Sequence, residues 1–119
     1  MINPFYTINV ELGSHYGSAL DKISNELKMN YVYDEFNNGP PTTEYFRDIF
    51  LEKMKIRNKQ KRPIKINFYY EKYDAYDYLV VFFDDIIKKL ELDGIKNVLQ
   101  VEFIKNKKSK HKKIKYNYI

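Results

Sequence analysis

Five aspartates, Asp74, Asp77, Asp84, Asp85 and Asp93, fall within 20 residues of one another. Carboxylates at that density are the hard oxygen donors that hold Mg²⁺ against a phosphate. Asp74 and Asp77 are the candidate metal ligands of the group, and Asp77 and Asp85 the candidate catalytic acids. A plainer account covers the same residues: Asp74 or Asp77 caps a helix, and Asp84 pairs with Lys88 four residues on. Other catalytic material is scarce. The chain has no cysteine and two histidines, His15 and His111, which excludes thiolate zinc sites and cysteine nucleophiles and leaves almost nothing for a Ser-His-acid triad or a multi-histidine metal centre. No Gly-rich phosphate loop is present either.

The second kind of chemistry is binding, and the distribution of charge points to it. Residues 53 to 65 carry Lys53, Lys55, Arg57, Lys59, Lys61, Arg62 and Lys65 with no acid. Residues 105 to 119 carry Lys105, Lys107, Lys108, Lys110, Lys112, Lys113 and Lys115, again with no acid. The rest of the chain holds all 16 acids, so the formal charge of +5 is a mildly acidic body with two basic arms. Lysines and arginines grouped in this way neutralise phosphates and release condensed counterions. They also suit a helix C-terminus, a hairpin tip or a protected sheet edge, which require no ligand. Tyr69, Tyr70, Tyr73, Tyr76 and Tyr78 form a further group that could stack on bases, cover a subunit interface or fill core and rim.

The elements that must position these residues follow from periodicity. Tyr6, Ile8, Val10 and Leu12 alternate with polar residues and predict a strand. Ser18 is placed to cap a short helix with Leu20, Ile23 and Leu27 on one face, and Tyr31 to Tyr33 suits a brief strand. Asn37 to Pro41 is a loop, since Gly and paired Pro defeat helix and central strand. Thr42 or Thr43 opens a helix to about residue 58, with Phe46, Ile49, Phe50 and Met54 as its buried stripe. Pro63 introduces a strand in which Ile64, Ile66, Phe68 and Tyr70 share a face. Residues 77 to 92 return to helical spacing through Leu79, Phe82, Phe83, Ile86, Ile87 and Leu90, and Gly94 stops that helix. A strand through Leu99, Val101 and Phe103, a turn at residues 106 to 111 and a strand with Ile114, Tyr116 and Tyr118 make a basic terminal hairpin.

With 119 residues, 44% of them hydrophobic, the expected fold is one α+β domain spanning 1–119. Its expected sheet is antiparallel or mixed, packed by amphipathic helices. No apolar run suffices for a membrane span, and no signal peptide is visible. Heavy use of Lys, Asn, Ile and Tyr fits AT-rich coding sequence. The expected address is the cytoplasm of a bacterial host cell, including for a phage protein.

This order of elements resembles the RusA family of Holliday-junction resolvases over about residues 43 to 119. The residues that carry it are Arg62 to Phe68, the Asp-bearing loop and helix, the turn at Gly94, and Gln100-Val101 ahead of the basic hairpin. The resemblance implies a dimeric α+β fold that cuts branched DNA with Mg²⁺, with Asp77 matching one motif aspartate and Asp85 the one eight residues later. Other motif positions differ. The first Asp falls on Ala75 beside Asp74, the Asn on Tyr78, the Lys on Val81, and an Asp-Asp pair near Asn97 and Val98. Residues eight apart on a helix also differ by about 80° in direction. The resemblance therefore implies a nucleic-acid-binding protein with a degenerate catalytic motif, its phosphate contacts drawn from Lys53 to Arg62 and Lys105 to Lys115. An active enzyme of this kind would be a Mg²⁺-dependent, structure-specific endonuclease. The alternative is a phage-encoded, anti-CRISPR-like inhibitor that binds a host protein or ribonucleoprotein. A third option is a homodimeric module with tyrosines at its interface.

Overall fold

Alternation of apolar and polar residues builds the sheet, and its buried half is the same on every strand of the body. In the computed structural model, which describes residues 5–12, 16–29, 42–71, 76–105 and 113–117, β1 (Tyr6–Glu11) buries Ile8 and Val10 and exposes Thr7, Asn9 and Glu11. β2 (Ile64–Tyr70) buries Ile64, Ile66, Phe68 and Tyr70, and β3 (Leu99–Lys105) buries Leu99, Val101 and Phe103. The register sets Ile8, Ile66 and Val101 side by side, then Val10, Phe68 and Phe103. All three strands run parallel. β4 (Lys113–Asn117) follows β3 along the edge in the opposite direction, giving the order β1-β2-β3-β4.

The body of the sheet is thus parallel, where an antiparallel or mixed arrangement was expected. The connections explain it. A parallel neighbour requires a long crossover, and helices supply the crossovers here. α1 (Tyr16–Glu26) and α2 (Thr42–Gln60) lie between β1 and β2, and α3 (Tyr76–Leu92) lies between β2 and β3. Antiparallel pairing is confined to β3 and β4. α1 begins at Tyr16, so Ser18 sits inside its first turn instead of capping it. The expected strand at residues 31 to 33, the loop at 37 to 41 and the hairpin turn at 106 to 111 lie outside the described residues.

The described helices pack on one face. Phe50 of α2 meets Phe83 of α3 edge-on at 5.8 Å, and Phe83 meets Phe68 of β2 at 5.3 Å. Leu20 and Ile23 of α1 join the same buried cluster. The opposite face is polar. On it the Asn67 side-chain amide donates to Asn9 at 3.0 Å, and Lys65 pairs at 3.3 Å with Glu102, which is 3% exposed. Among the described residues no helix is long and apolar enough to cross a membrane.

All three helices run against the parallel strands and end at the foot of the sheet, where β1, β2 and β3 begin. Each end closes with the same pair of backbone bonds. Met29 donates to the carbonyl of Ser24 and Lys28 to that of Asn25; Arg62 donates to Arg57 and Lys61 to Asn58; Ile95 donates to Leu90 and Gly94 to Glu91. This closure needs a left-handed residue, supplied by Lys28 (φ 55°), Lys61 (φ 55°) and Gly94 (φ 71°). Lysine adopts that conformation at a cost of about 1 kcal/mol, which glycine avoids. Space is open around Gly94, so a methyl group there meets a backbone penalty alone. Urea denaturation should show Gly94→Ala destabilised by about 1 kcal/mol and Lys61→Gly unchanged or stabilised by up to about 1 kcal/mol.

Candidate nucleic-acid interface

The helical period divides the first basic run before any tertiary contact is made. Lys53 and Arg57 are four apart and share a face of α2, whereas Lys55 and Lys59 share another, turned roughly 200° from the first. Lys55 is neutralised locally, by Glu52 at 3.3 Å and by Asp93 beyond the end of α3 at 3.8 Å. Lys65 belongs to the polar sheet face through Glu102. Lys59 and Lys61 are exposed at the end of the helix.

Lys53 and Arg57 instead border a cleft of about 720 Å³ at the foot of the sheet. Arg62 joins them from the turn after α2, and Lys28 from the end of α1. None of these four cations has an ion-pair partner among the described residues. The Arg57 Nε donates to the carbonyl of Arg62 at 2.9 Å, which fixes the guanidinium and leaves its two terminal nitrogens for a ligand. Its central carbon lies 5.8 Å from the centre of the Tyr6 ring, within cation–π range. Burial lowers the Arg57 pKa from its ordinary value and the neighbouring Arg62 lowers it further, while Tyr6 opposes them.

Tyr6 is 44% exposed at the first position of β1. Its hydroxyl donates to Glu26 at 2.7 Å, and that hydrogen bond, with a smaller contribution from burial, raises its pKa above the ordinary value. Among the described residues Glu26 is the only acid bordering the cleft. The site therefore combines an exposed ring, held at its hydroxyl end, with an excess of positive charge beside it. Such a pair recognises a planar group attached to an anion.

The aspartates are arranged otherwise. Asp77 is exposed in the first turn of α3, where a negative charge suits the helix dipole. Asp85 lies two turns further on, about 12 Å along the axis, and pairs with Lys89 at 3.6 Å. Asp84 pairs with Lys88 at 2.9 Å, and this hydrogen bond raises the Lys88 pKa. Asp93 faces Lys55. The structure does not bring Asp77 and Asp85 together, and among the described residues no three acids or histidines form a group able to hold a metal. That donor set does not fit the Mg²⁺ centre which the RusA resemblance implies. Asp74, the other candidate ligand, lies outside the described residues.

Of the second basic run, Lys105 lies at the far end of the sheet. Lys105 closes β3 beside Tyr70, six residue steps from the foot, or roughly 20 Å. Lys113 and Lys115 take register positions opposite Ile104 and Glu102 on β4. Lys107, Lys108, Lys110 and Lys112 lie outside the described residues. Lys105 and the cleft thus stand at opposite ends of the sheet. Among the tyrosines, Tyr70 belongs to the core, and Tyr78 stacks on Phe82 at 6.0 Å with part of its ring exposed.

Tyr6, Glu26 and Lys28 were not readable as site residues, because the fold gathers them from separate segments. The four-residue spacing of Lys53 and Arg57 was the available signal. Comparison with known proteins returns no match: no family model, curated protein or solved structure matches the chain. Function must therefore be argued from the site itself.

Lysines with structural and ligand-facing roles should separate in stability measurements. Lys65→Ala removes one cation held against the buried Glu102 carboxylate and should cost about 1 kcal/mol in urea unfolding. Lys53→Ala should stay within about 0.5 kcal/mol of the parent protein.

Proposed function

We propose that the protein binds nucleic acid, with the cleft at the foot of the sheet as its principal phosphate site. The observation that carries this is the convergence of Lys28, Lys53, Arg57 and Arg62, without ion-pair partners among the described residues, beside the exposed ring of Tyr6. Phosphate contacts supply the affinity and the ring offers a stacking surface that accepts any base. Lys105 and the lysines of the terminal hairpin provide a second, separate pole of attraction.

The relation to RusA-type resolvases is then that of a binding protein whose catalytic motif is degenerate. Supporting it are the order of elements and the position of Gln100-Val101 on the strand that leads into the basic hairpin. The self-paired acids of α3 favour binding over cleavage. Branched DNA is the favoured ligand class on that relation, and the cytoplasm of a bacterial host is the corresponding address.

Fluorescence anisotropy with labelled four-way junction, duplex DNA and single-stranded RNA tests this proposal. If about four phosphates are neutralised, affinity should fall on the order of 100-fold between about 50 and 200 mM salt. Arg57→Gln with Arg62→Gln should weaken binding and flatten the salt dependence by nearly two contacts. Absence of binding to all three ligands at the lower salt, or affinity indifferent to salt, overturns the proposal.

A further inference from the structure

The shape and charge of the cleft narrow the kind of nucleic-acid feature it can accept. A double helix presents its phosphates along a broad convex surface and meets flat or grooved basic faces. This cleft is concave, is bordered by three separate chain segments, and has a volume of about 720 Å³, in the range of sites that enclose a small molecule. A space of that size accommodates one nucleotide.

Its charge is also concentrated. Four cations and one carboxylate border it, and that carboxylate already accepts the Tyr6 hydroxyl. An internal phosphodiester brings a single negative charge. A terminal phosphomonoester brings about −1.5 to −2 at neutral pH and three acceptor oxygens, so it satisfies several donors at one point. Arg57 is held ready for such a group, because its Nε is committed to the Arg62 carbonyl, its terminal nitrogens remain available, and Tyr6 lies within cation–π distance. Base and phosphate of one nucleotide can therefore engage Tyr6 and the arginines together.

We propose that the cleft binds the phosphorylated terminal nucleotide of a nucleic-acid strand, its phosphomonoester held by Arg57, Arg62, Lys53 and Lys28 and its base stacked on Tyr6. The inference rests on the nucleic-acid-binding function proposed above and assigns that site its ligand. Strand ends and free nucleoside monophosphates share this chemistry. The strand is favoured because the acid-free run at residues 105–119 supplies further positive charge for the chain that follows.

The test is a binding series with a single-stranded ten-nucleotide DNA, labelled at an internal base, in three forms: 5′-phosphorylated, 3′-phosphorylated and hydroxyl-ended at both termini. Adenosine monophosphate serves as competitor. One phosphorylated form should bind at least about tenfold more tightly than the hydroxyl-ended strand. That preference should shrink as pH falls through about 6, where the phosphomonoester dianion takes up a proton and becomes a monoanion. Arg57→Gln and Tyr6→Ala should each remove most of the preference, that is, the ratio between the two affinities, and Arg57→Gln should also weaken the hydroxyl-ended strand through the lost phosphate contact. Tyr6→Phe should retain it, since the ring remains. Lys53→Gln, a change on the helix surface, should reduce it without altering the urea midpoint, which separates loss of ligand contact from loss of fold.

Equal affinity for all three strands overturns the terminal-phosphate assignment and leaves general nucleic-acid binding in place. Failure of every strand to bind overturns both. If adenosine monophosphate competes as strongly as the phosphorylated strand binds, the ligand is a free nucleotide and the assignment to strand ends is overturned.

Discussion

Phe83 of α3 lies edge-on to Phe50 of α2 at 5.8 Å and against Phe68 of β2 at 5.3 Å, and Phe68 stacks on Phe103 of β3 at 5.0 Å. Phe46 extends the series along α2 at 5.4 Å from Phe50. These five rings, all fully buried, join two helices to two strands through direct contact. Each pair adds about 0.5–1.5 kcal/mol to the burial of its rings. More important for function, the rings fix how α2 lies across the sheet. Met54, one turn beyond Phe50, continues the same buried stripe, so Lys53 and Arg57 are oriented by the residues packed beneath them. A small chain with few alanines and abundant rings can thus hold a basic helix end rigidly against the foot of a sheet.

Charge at that foot has two sources of support. Three helix C-termini meet there, and their unsatisfied carbonyl ends favour nearby cations. This explains why Lys28, Lys61 and Arg62 are tolerated at the helix closures. It does not explain Lys53, which stands about two turns before the helix end, nor the lowering of the Arg57 pKa by burial and by Arg62. Elsewhere the protein pairs its half-buried charge: Lys65 with Glu102, Lys89 with Asp85, Lys55 with Asp93. Around the cleft, cations are instead set near each other, an arrangement that an anionic ligand relieves.

Much of the secondary structure was legible because each element buries one face. Ile64, Ile66 and Phe68 alternate with Lys65 and Asn67, and the α3 stripe from Leu79 to Leu90 repeats at helical spacing. Strand direction was not legible for the same reason. Parallel strands covered on both faces read as continuous apolar runs, whereas alternation is the habit of antiparallel sheets with one wet face. Here the helices cover a single face, so parallel strands keep an alternating pattern. The cleft was half legible. Arg57 and Arg62 stand in an acid-free run, but Tyr6 and Glu26 are joined by a hydrogen bond across 20 positions that no local pattern announces. The same run concealed its own division, since Lys55 and Lys53 look equivalent until α2 turns them to different partners.

The aspartates of α3 show how similar composition can serve opposite ends. A metal-dependent nuclease needs carboxylates within a few ångströms of one ion, so their mutual repulsion must be overcome by the cation they share. On α3, Asp84 and Asp85 each have a lysine four residues ahead, which neutralises them without a metal and supports the helix. Asp77 stands about 12 Å back along the axis and favours the helix start. Once acids are satisfied in this way, drawing two of them to one ion would require breaking local pairs and bending a helix whose other face is locked by Phe83 and Ile86. The proposed phosphate site faces no such conflict, because its four cations have no ion pair to give up among the described residues. The same physics that makes α3 self-sufficient is what favours the foot of the sheet, and not the α3 acids, as the proposed phosphate site.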